Sequence, residues 1–92
     1  MEESISILDC IELLAKDSNF LFEASQTRHG EFNIRAKRID VGQEFSIINY
    51  GYGSDCGLLE VLALGQGHEP IGWATPKAVM TYMRWKGWNK EE

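Results

Sequence analysis

Asp55 and Cys56 stand side by side in a glycine-rich stretch, and the chain carries two histidines, His29 and His68. A thiolate with an imidazole base and a carboxylate to orient it is the arrangement of a covalent nucleophile. That chemistry is defined by geometry rather than by spacing, so residues this scattered neither show it nor exclude it. Cys10, His29, Cys56 and His68 also offer the ligand types of zinc. Structural zinc sites bring their ligands in close pairs. Here the nearest two, Cys56 and His68, are 12 residues apart. Cys10 falls in an apolar helical stripe, where a free thiol behaves as a small hydrophobe. The expectation is a protein without catalytic residues, metal or other cofactor.

Contact chemistry is better represented. Tyr50-Gly51-Tyr52-Gly53-Ser54-Asp55-Cys56-Gly57 holds three glycines in eight residues. It lacks the lysine and following helix of a phosphate-binding loop, and the spacing of a dinucleotide fingerprint. It reads as a long hairpin loop whose tyrosines offer large contact area with few rotors to freeze. Trp73, Trp85 and Trp88 fall within 16 residues. Trp73 precedes a helix cap and can staple the helix entry. Trp85 reads as core. Trp88, beyond Gly87, joins Met80, Arg84 and Lys86 as a second candidate surface, since tryptophan and arginine are enriched at interface hot spots. The candidate partner-binding residues are thus Tyr50, Tyr52, Asp55 and Trp73 around the loop, and Met80, Arg84 and Trp88 on the last helix. An alternative is a small-molecule binder, with a pocket between the two glycine-rich loops formed by Tyr50, Asp55, His68 and Trp73.

Charge narrows the partner. The net charge is −5. Residues 1–34 carry seven acids against two bases, whereas residues 35–92 balance seven against seven. Arg35, Lys37 and Arg38 form the densest basic cluster, and with nearby tyrosines they sketch a single-strand nucleic-acid platform. Phosphate neutralisation dominates such binding, so an acidic chain is expected not to bind nucleic acid. Two cysteines are too few for a disulfide scaffold and are read as reduced, as in the cytoplasm. No leader pattern and no run of 18 apolar residues is present, which gives no expectation of secretion or of a membrane span.

These residues must be held by a single domain, as 92 residues imply. Ile7, Leu8, Ile11, Leu14 and Ala15 form an apolar stripe that predicts a helix from about Ser4 to Lys16. Phe20 to Ala24 reads as a short strand, and 26–30 as a polar turn. Phe32, Ile34 and Ala36 alternate with polar neighbours, the pattern of a half-buried strand. Phe45 to Tyr50 and Leu58 to Leu64 complete four strands. Thr75 is a good N-cap, Pro76 suits the first helical position, and Gly87 supplies a stop. On that last helix Ala78, Val79, Tyr82, Met83 and Trp85 are expected to face the sheet, with Met80 on the polar side. The result is an α+β fold of order α-β-β-β-β-α. A four-stranded antiparallel sheet packs an N-terminal and a C-terminal helix on one face. Arg35, Lys37 and Asn33 line the open face.

One combination has a wider echo. Phe45-Ser46-Ile47-Ile48, Tyr50-Gly51-Tyr52-Gly53, Gly57-Leu58-Leu59-Glu60-Val61 and Gly72-Trp73-Ala74-Thr75 follow one another. Over roughly the C-terminal half the chain resembles small uncharacterised proteins encoded by phages and prophages. The resemblance carries no catalytic residues. It implies an accessory role directed at the host, in which a host protein is bound and inhibited. Some small acidic phage proteins that inhibit CRISPR effectors imitate nucleic acid with carboxylates; here the acids gather on one helix instead. The reading is therefore a non-catalytic protein-binding module. A homodimer is a further expectation, because one helix is acidic, the other basic, and sheet edges invite pairing.

Overall fold

The computed structural model describes residues 2–65 and 69–88, with side-chain surroundings for residues 7–65 and 69–84. Its elements run α1 (Glu2–Ala15), β1 (Phe20–Arg28), β2 (Glu31–Arg38), β3 (Glu44–Ile48), β4 (Leu59–Ala63), β5 (Ile71–Ala74) and α2 (Pro76–Trp88). A 3-10 turn spans Ser54–Cys56 between β3 and β4. The strands form one antiparallel sheet in the order β1-β2-β3-β4-β5. The α+β class holds, but the sheet has five strands rather than four. The additional strand is β5, four residues long, which the sequence presents only as the approach to α2.

One face of the sheet is the core. Ile34 and Ala36 of β2, Phe45 and Ile47 of β3, and Leu59, Val61 and Ala63 of β4 are all buried. The period of two in these strands puts them on one side. Ile7, Cys10 and Leu14 of α1 cover them at helical spacing, together with Val79, Met80 and Met83 of α2. Tyr82 meets Phe45 edge to face, with ring centroids 6.1 Å apart, an arrangement that aromatic quadrupoles favour. Burial pushes the Tyr82 hydroxyl above its ordinary pKa.

The apolar arcs are rotated slightly from the expected ones. On α1 the inward arc is Ile7, Cys10, Ile11 and Leu14, while Leu8 and Ala15 are exposed. On α2 Met80 is 2% exposed, whereas Ala78 is exposed. Met80 therefore belongs to the core and leaves the polar side to which its position had assigned it. An unbranched thioether fills irregular space well, and the inward arc is centred on Val79, Met80 and Met83. The Thr75 cap is present: its Oγ1 accepts from the Ala78 N–H at 3.1 Å. Gly87 does not end the helix, which continues to Trp88.

The first hairpin is longer than its sequence suggests. β1 runs on to Arg28, so Gln26 and Arg28 pair with β2 and only His29-Gly30 turns. Thr27 sits at a bulge. Past the end of β3, Asn49 takes over as a backbone surrogate. Its Oδ1 accepts from Phe32 N–H at 2.8 Å and its Nδ2 donates to the Gly30 carbonyl at 3.0 Å. Both ends of this buried amide are satisfied, as burial of a polar group requires. The hairpin tip is thereby fastened to the rest of the sheet.

Candidate functional site

Between β3 and β4 the chain makes the loop 49–58, and the loop folds back onto β5. The contact is made by backbone: Trp73 N–H donates to the Tyr52 carbonyl at 3.0 Å. Two glycines permit it. A Cβ on Gly53 would stand 2.8 Å from Trp73 Cα, and Gly53 has a φ of 95° besides. A Cβ on Gly72 would stand 3.0 Å from the Tyr52 carbonyl oxygen and closer still to Tyr52 Cβ. The loop is also held from β4, where Glu60 Oε1 accepts from Tyr52 N–H at 3.2 Å.

Trp73 itself is unusual. It has a φ of 57°, the sole positive φ at a non-glycine position among the described residues. The β4–β5 register shifts between Leu59 and Val61, so Gly72 and Trp73 both stand opposite Glu60. This is a β-bulge, a device that bends a strand and re-aims a side chain. The result is exposure. Trp73 is 59% and Tyr52 68% accessible, with Tyr50 and Ile71 also exposed. A bulky residue in the left-handed region is a genuine outlier, and such strain gathers at functional positions. Asp55 lies exposed on the adjoining 3-10 turn.

Four of the seven candidate residues, Tyr50, Tyr52, Asp55 and Trp73, thus lie on one loop-and-strand unit. Glu60 joins them; Ile71, also exposed on β5, stands opposite the buried Val61 and so on the other face of the sheet from Glu60. Nothing in the sequence distinguished Ile71 once β5 had been missed. Glu60 had only its outward parity, between the buried Leu59 and Val61, as a signal.

The second candidate surface does not assemble among the described residues. Met80 is in the core, and the side chain of Trp88 lies outside the described residues. Arg84 remains exposed but is tied to the fold. Its Nη2 donates to Asp17 Oδ2 at 3.1 Å, and its carbonyl accepts from Arg38 Nη1. Arg38 is 8% exposed and grips Asp40 with two bonds of 2.9 and 2.8 Å. Such forked pairing is strong and directional. Burial acts to raise the Asp17 pKa, but hydrogen bonds from Asn19 and Arg84, with the Arg84 charge, outweigh it and leave the carboxyl below its ordinary value. The Arg38 hydrogen bond likewise lowers Asp40. Arg38 leaves the basic cluster for this network. Arg35 pairs with Glu44 at 3.2 Å on the open face, where Lys37 is also exposed.

The chemical candidates separate too. Burial pushes the Cys10 thiol up to about 12, so it stays protonated at neutral pH. Cys56 is exposed on the 3-10 turn, and His29 is at the tip of the first hairpin. His68 lies outside the described residues, and with it one wall of the expected pocket. Among the described residues no group of three or more histidine, cysteine or acidic side chains is placed to hold a metal ion. Two depressions lie elsewhere. One of about 410 Å3 is on the open sheet face around Leu21, Arg35 and Glu44. Another of about 430 Å3 is between Glu12 and Leu13 of α1 and Pro76 and Lys77 of α2. Among the described residues no helix is long and apolar enough to cross a membrane. No protein-family model matches the chain, and no curated protein or solved structure does.

Proposed function

We propose that the chain is a non-catalytic protein-binding module whose contact surface is built on Tyr52 and Trp73, flanked by Tyr50 and Asp55. The observation that carries this reading is the exposed Trp73 held at a positive φ against the Tyr52 carbonyl. Left to packing alone, a tryptophan would turn inward and a glycine would occupy this bend. Tyrosine and tryptophan dominate the energetics of protein interfaces. Small ligands instead take concave sites that enclose most of their area, and these rings stand out from the surface. The resemblance to phage-encoded proteins supports a host protein in the bacterial cytoplasm as the class of partner.

The test is capture of binding proteins from host lysate with wild-type chain, Tyr52→Ala and Trp73→Ala, each shown to be folded by circular dichroism. A protein retained by the wild type and lost with both variants supports the reading. Equal retention by all three, or loss of fold in both variants, overturns it.

A further inference from the structure

The two edges of the sheet differ in how they are protected. β5 is four residues long and bulged, and its Trp73 N–H is already taken by Tyr52. Short length, a bulge and a covering loop are the devices by which proteins blunt edge strands. β1 is nine residues long, its single bulge lies at Thr27 near the hairpin tip, and from Glu23 to Arg28 every residue is exposed. This stretch contains no proline and no lysine. The outer part of the β1–β2 hairpin extends past the pairing of β2 with β3, which begins at Asn33. A two-stranded ribbon alone in water is marginally stable, yet Asn49 fastens this one in place.

We infer that the β1 edge pairs with β1 of a second copy of this chain, antiparallel about a two-fold axis near Ser25, to give a continuous ten-stranded sheet. The occupant is indicated by charge. Glu23 is opposite Arg35 and Arg28 opposite Glu31 in the β1–β2 register. The Thr27 bulge therefore returns Arg28 to the face that carries Glu23. Antiparallel self-pairing lays each Glu23 beside the partner's Arg28, an opposite-charge cross-strand pair on both sides of the axis. A two-fold interface must be self-complementary in this way. The surface is separate from the Tyr52–Trp73 unit, which adjoins β5 at the opposite edge.

Sedimentation analysis across a concentration series tests this. The wild-type apparent mass is expected to rise from 10.5 kDa toward twice that value, and Trp73→Ala to do the same. Glu23→Arg alone and Arg28→Glu alone each place like charges across the axis and are expected to remain monomeric while keeping the wild-type circular dichroism spectrum. An equimolar mixture of the two restores opposite charges at both contacts and is expected to recover the doubled mass. A wild-type chain that stays at one mass throughout overturns the proposal. So does a dimer that both single variants leave intact, or a mixture that stays monomeric.

Discussion

Trp73 holds a backbone conformation that glycine adopts freely and that side chains with a Cβ adopt at a loss of about 1–2 kcal/mol. Replacing its side chain removes contact area in either case, but only glycine also relieves the backbone. Trp73→Gly is therefore expected to be more stable than Trp73→Ala by about 1 kcal/mol in urea titrations, the reverse of the usual order in a strand. Equal stabilities would mean that the bend is unstrained. Gly53 offers the opposite experiment. Gly53→Ala adds a Cβ that meets Trp73 Cα at 2.8 Å, at a φ of 95°, and is expected to destabilise by about 1–3 kcal/mol. Thiol alkylation gives a further residue-level check. At neutral pH Cys56 is expected to label, and Cys10, pushed up to about 12 by burial, only on unfolding. Labelling of both thiols in the native state would contradict the core position of Cys10. The loop between β3 and β4 was legible in the sequence because three glycines in eight residues interrupt the strand pattern on either side. The strain at Trp73 was not, since a positive φ at tryptophan follows from the tertiary contact and not from local preference. Met80 was misplaced for a related reason: helical spacing puts it on the border of the arc, and packing decided.

At the scale of elements, α2 is held at both ends by chemistry that the sequence shows unequally. Thr75 and Pro76 announce its start. Its far end is secured by Arg38 and Asp17, which are distant in sequence and meet α2 only in the fold. Arg38→Ala removes the buried guanidinium from Asp40 and from the Arg84 carbonyl. It is expected to lower stability by about 2–3 kcal/mol, measured by denaturant unfolding; a loss near zero would show that the network is incidental. The Asp17 carboxyl carries a pH signature. Its folded pKa lies below the ordinary 3.8. Its stabilisation is present above that value and is lost as pH falls through the folded value. Asp17→Asn is expected to be less stable than wild type at pH 7, with the gap closing as pH drops below 3.8. A gap that stays constant with pH would rule out the ionised carboxylate as its source. The α1 stripe and the alternation in β2 were readable because burial imposes a period. β5 was not, because four residues containing a glycine and a bulge have no period to show.

Across the whole molecule, the charge asymmetry of the sequence is partly consumed inside the fold. Asp17, just after the acidic α1, binds Arg84 of the basic α2, so the two helices are joined within one chain. Among the described residues, the aromatic unit beside β5 and the exposed β1 edge lie at opposite sides of the sheet. One measurement bears most directly on the central claim: recovery of a binding protein from lysate on wild-type chain, on folded Trp73→Ala, and on Leu21→Ala, which removes an exposed apolar side chain of β1 at the far edge. The wild type and Leu21→Ala are predicted to retain the same protein, and Trp73→Ala to lose it. Retention by folded Trp73→Ala at the wild-type level would contradict the assignment of the Tyr52–Trp73 surface as the binding site.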